Sequence, residues 1–225
     1  MPTAGRRATN ERNTSLPELT VFDGAALEAD GDYVAVDFLG LDLADADAPD
    51  SRFLECRLER CRLDGASLRR ARIAESFLNE LHATTVDLAD STWRDTQVRG
   101  GRFGALSAVA ATWTDVRITG THVGFMNLAG AHLQDVVFDG CEFGTLDARE
   151  AELDSVTFVD CTIDELNVAG ARLTKVDLAG ASLRTLVGID SLKGAIVSRE
   201  QLLDLAPVLA AALGIDVRDD PPAPR

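Results

Sequence analysis

A repeat solenoid is the fold class this sequence predicts, and two observations predict it. Apolar residues recur at every fifth place, a spacing that fits neither the 3.6-residue period of a helix nor the two-residue period of a strand. The stretch "ARLTKVDLAGASLRT" shows the pattern, with Leu173, Leu178 and Leu183 at the centre of three successive pentads. The second observation is the length of the frame. It runs through 31 pentads, residues 31–185, without one inserted or missing residue. Self-similarity at a short fixed period marks stacked units that bury one continuous core between neighbours.

Composition sets the limits of what such an object can do. The chain has 225 residues, 46% of them hydrophobic, enough for one domain with a substantial core. Its formal net charge of −15 argues against direct binding to nucleic acid or to an anionic membrane, since both need a basic face. No apolar stretch approaches the ~20 residues that span a bilayer. Residues 1–20 lack the apolar core of a secretory signal, which makes the cytoplasm the expected compartment. No CxxC, HExxH, GxSxG or P-loop spacing is present, and no nucleophile, metal set or acid–base pair is placed for chemistry. The expectation is a protein that is not an enzyme and needs no cofactor or metal.

Stepping back by five from Leu178 passes through Leu173, Val168, Ile163, Phe158 and Leu153, and continues in the same way to Phe38 and Tyr33. Only Ala48, Ala83, Ala108 and Ala148 are small at the central place. The segments Val86-Asp87-Leu88, Met126-Asn127-Leu128, Leu166-Asn167-Val168, Val176-Asp177-Leu178 and Ala181-Ser182-Leu183 are close matches to the pattern A(D/N)LXX. The register therefore resembles the pentapeptide-repeat family over about two-thirds of the chain. The resemblance implies an all-β fold, a right-handed quadrilateral β-helix of about 7.75 coils with four pentads per coil. The central residue and the one two places before it would face inward.

Four pentads per coil would stack positions 20 apart on one wall. The position two before the centre reads Ala46, Ala66, Val86, Leu106, Met126, Leu146, Leu166 and Leu186 on one such wall, which is bulky from Val86 on, and is small throughout on another (Ser51, Ala71, Ser91, Ala111, Ala131, Ala151, Ala171). Inward pairs also compensate in volume: Leu81 goes with Ala83, Leu106 with Ala108 and Leu146 with Ala148, as a close-packed interior requires. Eight of the last pentad positions are glycine, suited to corners where the chain turns sharply. Cys56, Cys61, Cys141 and Cys161 all take the inward place and read as buried thiols, although Cys141 and Cys161 are stacked closely enough for a disulfide in principle. Trp93 and Trp113 read as core. His82, His122 and His132 fall at outward places and read as solvated surface.

The ends leave the frame. Residues 1–20 are polar and read as disordered, 21–30 as an N-terminal cap, and 215–225 as a flexible tail. Residues 186–214 read as a helical cap or dimerisation element. Ser198 and Gln201 form a capping box, Gly214 stops the helix, and Pro207 inside the pattern predicts a kink or two short helices. Leu202, Leu205, Val208 and Leu209 are its apolar candidates for covering the last coil or meeting a second copy; the resemblance favours a homodimer through this carboxyl end.

Charge is distributed unevenly. The seven arginines between Arg52 and Arg72 are balanced in part by Asp32, Asp37 and Asp42, one coil below Arg52, Arg57 and Arg62. Glu55, Glu75, Asp95, Asp115 and Asp135 lie 20 apart and should form one acidic ladder up a single corner, flanked on the next corner by Asp50, Asp90 and Glu150. Residues 131–165 add ten acids against Arg149 alone. The family's quinolone-resistance members bind type II topoisomerases by resembling DNA. The resemblance therefore implies an acidic mimic whose ladder enters the basic saddle of DNA gyrase or a related enzyme, modulating it or protecting it from quinolone-type inhibitors. The alternative is a non-enzymatic rod that docks some other protein.

Overall fold

The computed structural model describes residues 16–24 and 26–217. The chain winds into a β-solenoid of about nine turns, followed by one helix. All paired strands are parallel. They form a 16-stranded sheet and a 7-stranded sheet. Neighbouring coils stack in register at a separation of 20 residues, as in Trp93 against Trp113 and Phe103 against Val123. Every central residue from Phe38 to Leu178 is buried, and only the outermost, Tyr33 and Leu183, are partly exposed. The inward thiols, alanines and leucines complete one continuous core. Trp93 and Trp113 stack inside it with ring centroids 5.0 Å apart.

The sequence motif A(D/N)LXX has a local cause. At one corner of the square the chain makes a tight turn in which the N–H of the residue three places after the centre returns to the central carbonyl, as Ala131 N to Leu128 O (3.0 Å) and Ala171 N to Val168 O (2.9 Å). The Asp or Asn before the centre accepts from the N–H two residues on: Asp87 from Ala89, Asn127 from Ala129 and Asn167 from Ala169, at 2.9–3.1 Å. On the small wall the residue closing the turn is a buried Ser or Ala, such as Ser91, Ala111, Ala131 and Ala151.

At the ends, strands pair outside the pentad frame. Thr20–Val21 pairs with Val36 and Asp37 at a separation of 16 residues, so Thr20 belongs to a strand and not to the disordered segment expected there. Ala195–Ile196 pairs with Val176 and Asp177 at a separation of 19. These two segments lengthen the solenoid beyond the 7.75 coils counted from the frame. A parallel ladder needs backbone alignment, and a pentad rhythm is only one way to supply it. The remaining expectations for disorder at the termini concern residues 1–15 and 218–225, outside the described residues.

The helix α1 (Arg199–Ala212) is capped as expected. Ser198 Oγ accepts from Gln201 N at 3.1 Å, and Gln201 Oε1 accepts from Ser198 N at 2.8 Å. It runs through Pro207 as a single helix, so the alternative of two short helices does not hold. No helix among the described residues is long and apolar enough to cross a membrane.

Two glycines separate backbone strain from contact. Gly101 has φ +102°, and a Cβ there would come within 2.5 Å of the Leu81 carbonyl oxygen; Gly120 has φ +59° with open space beside it. Gly101→Ala is expected to cost roughly 2–4 kcal/mol and Gly120→Ala about 1 kcal/mol. Urea unfolding of the two variants beside the parent checks the ranking, and equal costs would refute it.

Candidate functional site

The corners of the solenoid determine where its charges point. Each sharp corner uses a residue with positive φ, and among the described residues eight of the eighteen non-glycine cases are Asp and four are Glu. Asp tolerates this left-handed conformation better than most residues, so the backbone itself draws acids to the corners. Arg60, Arg70, Ala110 and Lys175 occupy such places too, so the corner permits an acid without demanding one.

Glu55, Glu75, Asp95, Asp115 and Asp135 stand on one corner, all with φ of 48–55°. Their surroundings divide the column. Glu55, Glu75 and Asp95 are partly exposed, and Arg94 reaches both Glu75 and Asp95 at 3.6 Å. Asp115 and Asp135 are exposed and, among the described residues, have no basic partner. Asp135 accepts only from Gln134 Nε2, at 3.4 Å. Asp154, which the sequence reading did not single out, belongs to the same group. It is exposed one coil above, and its carbonyl accepts from Asp135 N at 3.0 Å. The signal was its place one residue before the corner, beside the column but not in it.

The flanking acids behave differently. Arg70 binds Asp50 with two hydrogen bonds of 2.8 and 2.6 Å, and Arg69 reaches Asp87 and Asp90 at 3.0 Å each. Asp50 and Asp90 therefore share their corner with arginines, and Arg70 holds the Asp50 carboxyl below its usual pKa. Glu150 is exposed on that corner. All three stacked pairs expected near the amino end form: Asp32–Arg52 at 2.8 Å, Asp42–Arg62 at 3.3 Å, and a two-bond pair between Asp37 and Arg57.

The histidines lie on the surface, but two have acidic company one coil away. His122 Nδ1 is 3.0 Å from Glu142 and His132 Nε2 is 3.2 Å from Glu152. A search at ligand spacing along the chain cannot find partners 20 residues apart. The four cysteines are buried and free, with no disulfide between Cys141 and Cys161. Each thiol donates to the carbonyl 23 residues earlier at 3.3–3.4 Å, for example Cys56 to Tyr33, and burial pushes the Cys56 and Cys61 thiols up. Among the described residues no group of three or more His, Cys, Asp or Glu converges as a metal site.

At the carboxyl end, Gln201 Nε2 donates to Leu178 O and Ala181 O at 2.8 and 2.7 Å, which ties the start of α1 to the last coils. No residue of α1 is buried. Leu205 and Leu209 are partly exposed, whereas Leu202 (50%), Leu203 (70%) and Val208 (52%) face solvent.

Residues 37–95 match the family model for pentapeptide repeats, in eight copies. The chain carries pentapeptide repeats. No curated protein sequence matches it. Among solved structures, the pentapeptide-repeat solenoid is similar to a trypsin-treated variant of QnrB1, a plasmid-mediated fluoroquinolone resistance protein, at 17% identity and a TM-score of 0.49, covering 87% of this chain and all of that one. Full-length QnrB1 gives 13% identity and a TM-score of 0.34, covering 80% of this chain and all of the other. HetL, a pentapeptide repeat protein involved in heterocyst differentiation regulation from the cyanobacterium Nostoc sp. strain PCC 7120, gives 19% identity and a TM-score of 0.39, with 75% of this chain and 90% of that one covered.

A largely enclosed ion pair of this solenoid sets a pH dependence. Asp37 is 7% exposed, and its hydrogen bond with Arg57 holds its carboxyl below the usual 3.8. A depressed carboxylate stabilises the fold above its unfolded pKa, and that contribution is lost as pH falls through the folded value. Asp37→Asn is expected to cost about 1–2 kcal/mol at pH 7, with the deficit shrinking below about pH 4. Chemical unfolding of both proteins between pH 2.5 and 7 measures this; a deficit that does not change with pH would contradict it.

Proposed function

We propose that this rod is an acidic mimic of DNA that binds the basic groove of a type II topoisomerase, DNA gyrase being the first candidate, in the cytoplasm. The observation that carries the reading is the exposed run Asp115, Asp135 and Asp154, without a basic partner among the described residues, on a chain of net charge −15. Glu55, Glu75, Asp95 and Glu150 extend the negative edge, while Asp50 and Asp90 contribute less because arginines accompany them. About nine turns at ~4.8 Å give a rod of roughly 43 Å, comparable with a short stretch of duplex. Carboxylates spaced ~4.8 Å apart do not copy phosphates at ~3.4 Å per strand, so mimicry concerns field and width. Binding would modulate the enzyme or shield it from fluoroquinolone-type inhibitors.

Changing Asp115, Asp135 and Asp154 together to Asn is expected to weaken binding to purified gyrase and to reduce the salt slope of the affinity by roughly three, one for each lost charge. Affinity measured across a salt series tests this, with supercoiling and quinolone-stabilised cleavage assayed in parallel. A parent protein that leaves both activities untouched would sink the reading.

The exposed apolar side of α1 favours one addition. Leu202, Leu203 and Val208 fit an interface with a second copy, with Leu205 and Leu209 at its base, which would double the length of the acidic edge. Leu203→Glu with Val208→Glu is expected to convert a dimer to a monomer in sedimentation equilibrium while leaving the β-sheet circular dichroism unchanged. A monomeric parent would remove the dimer but not the acidic edge. The same apolar side would serve the alternative reading, a rod that docks some other protein, and such docking would persist at high salt.

A further inference from the structure

One part of this acidic rod is basic. Around the corner formed by Gly100 and Gly120 stand Arg99, Arg102, Arg117, His82 and His122. His82, Arg102 and His122 are direct neighbours up one column, with Arg102 registered against both histidines. Arg117 is registered against Gln97, which accepts from Arg99 at 2.9 Å. His82, Arg99 and Arg102 are exposed, and among the described residues neither Arg99 nor Arg102 pairs with a carboxylate. The nearest acids are Glu80 on the corner below, Glu142 against His122, and Asp139 at 3.6 Å from Arg117. Between residues 96 and 134 the only acid is Asp115, on a different corner.

The patch continues into an apolar surface. On the same strands run Gly104 and Gly124, where an added Cβ would lie 2.5 and 2.6 Å from the carbonyl oxygen one coil below. No side chain fits there, so this track stays flat and bare. Phe125 projects beside it, 40% exposed, registered between Ala105 and Thr145. Exposed phenylalanine three residues along the strand from the row of Arg102 and His122 makes the surface amphipathic.

We infer that the basic corner at Gly100 and Gly120, together with Phe125, is a docking surface for an acidic segment of a partner protein. That segment carries an apolar side chain next to its carboxylates. Charge complementarity selects the acids, since unpaired arginines suit carboxylates in particular. The extent of the patch, three coils from His82 to His122, spans ~10 Å and suits a short peptide. A DNA duplex would extend past it into the acids of residues 131–165. Phe125 separates a peptide from a free oxyanion, which has nothing to place on it. This surface is independent of the topoisomerase reading, and no topoisomerase enters its test.

The test is fluorescence anisotropy with the whole chain and a labelled synthetic peptide of repeating Glu-Leu. A Glu-Ser peptide, sodium pyrophosphate and a short DNA duplex serve as comparisons. Saturable binding of the Glu-Leu peptide is expected, weakened about tenfold or more by Arg102→Glu, and likewise by Arg99→Glu. Phe125→Ala should weaken the Glu-Leu peptide about fivefold and leave the Glu-Ser peptide unchanged. Lys175→Glu makes the same charge change several coils further along, in the column of Asp115 and Asp135, and should alter affinity less than about twofold. All four positions are on the surface, and thermal unfolding confirms that each variant is folded. The inference is overturned if no peptide binds or if Phe125→Ala has no effect. Equal loss with Lys175→Glu, or equal displacement by pyrophosphate or duplex, would overturn it as well.

Discussion

Parallel stacking at a separation of 20 residues is the constraint from which the rest of this molecule follows. Each coil donates its N–H groups to the coil beside it, as Arg102 N to Leu81 O at 2.9 Å and Thr157 N to Val136 O at 2.9 Å. Once that ladder is fixed, every side chain has two predetermined neighbours, one coil above and one below. Core, corners and surface then become columns. A single inserted residue would move an inward side chain outward and disturb hydrogen bonds on both flanking coils, which accounts for 31 pentads without an interruption. Among the described residues, off-frame pairing appears only at the outermost strands.

The same ladder makes electrostatics a matter of columns. Corner geometry draws Asp to places with positive φ, and stacked corners would then set like charges ~4.8 Å apart. Toward the amino end the sequence offsets this with arginine: Arg52, Arg57 and Arg62 over three aspartates, Arg70 over Asp50, and Arg94 between Glu75 and Asp95. Farther along, Arg149, Arg172 and Arg184 meet Asp147, Glu152 and Asp164, yet Asp115, Asp135 and Asp154 stay in solvent with no basic partner among the described residues. Each exposed pair is worth only ~0–1 kcal/mol, so the arginines contribute little to stability. Their effect is on the field. The charge is uneven along the axis: residues 52–125 hold nine acids against eleven arginines, and residues 131–165 ten acids against Arg149 alone.

Much of this was legible in the sequence because a residue's column is arithmetic. The inward centres, the small wall from Ser51 to Ala171 and the three Asp–Arg pairs all follow from counting in fives and twenties. The misses follow from looking along the chain or straight up a column. Arg94 and Asp154 sit one residue before the acidic corner, and side chains long enough to cross that gap do so. Arg70 lies in the same column as Asp50 and Asp90, where counting by twenties places it directly between them. His122 and His132 meet glutamates one coil away, partners that close-spaced ligand motifs along the chain do not reach. Out-of-frame pairing at the ends could not be counted at all, because backbone hydrogen bonds leave no side-chain rhythm.

The two ends of the rod are finished by different physics. At the amino end aromatic rings close the core: Phe22 packs on Phe38 with centroids 4.8 Å apart and meets Tyr33 edge-on at 5.9 Å, while Tyr33 stacks on Phe53 at 5.0 Å. At the carboxyl end the join is polar. Gln201 satisfies two carbonyls of the last coils, but α1 buries none of its own side chains, and Leu183 and Leu186 beneath it are only partly covered. A helix anchored by one amide and apolar along its free side does not complete a core by itself; it lowers the cost of an edge while leaving a surface that gains from being covered. Joining at the helical end would remove the side chains of Leu202, Leu203 and Val208 from water. An end-to-end contact through α1 would leave the acidic corners of both copies free.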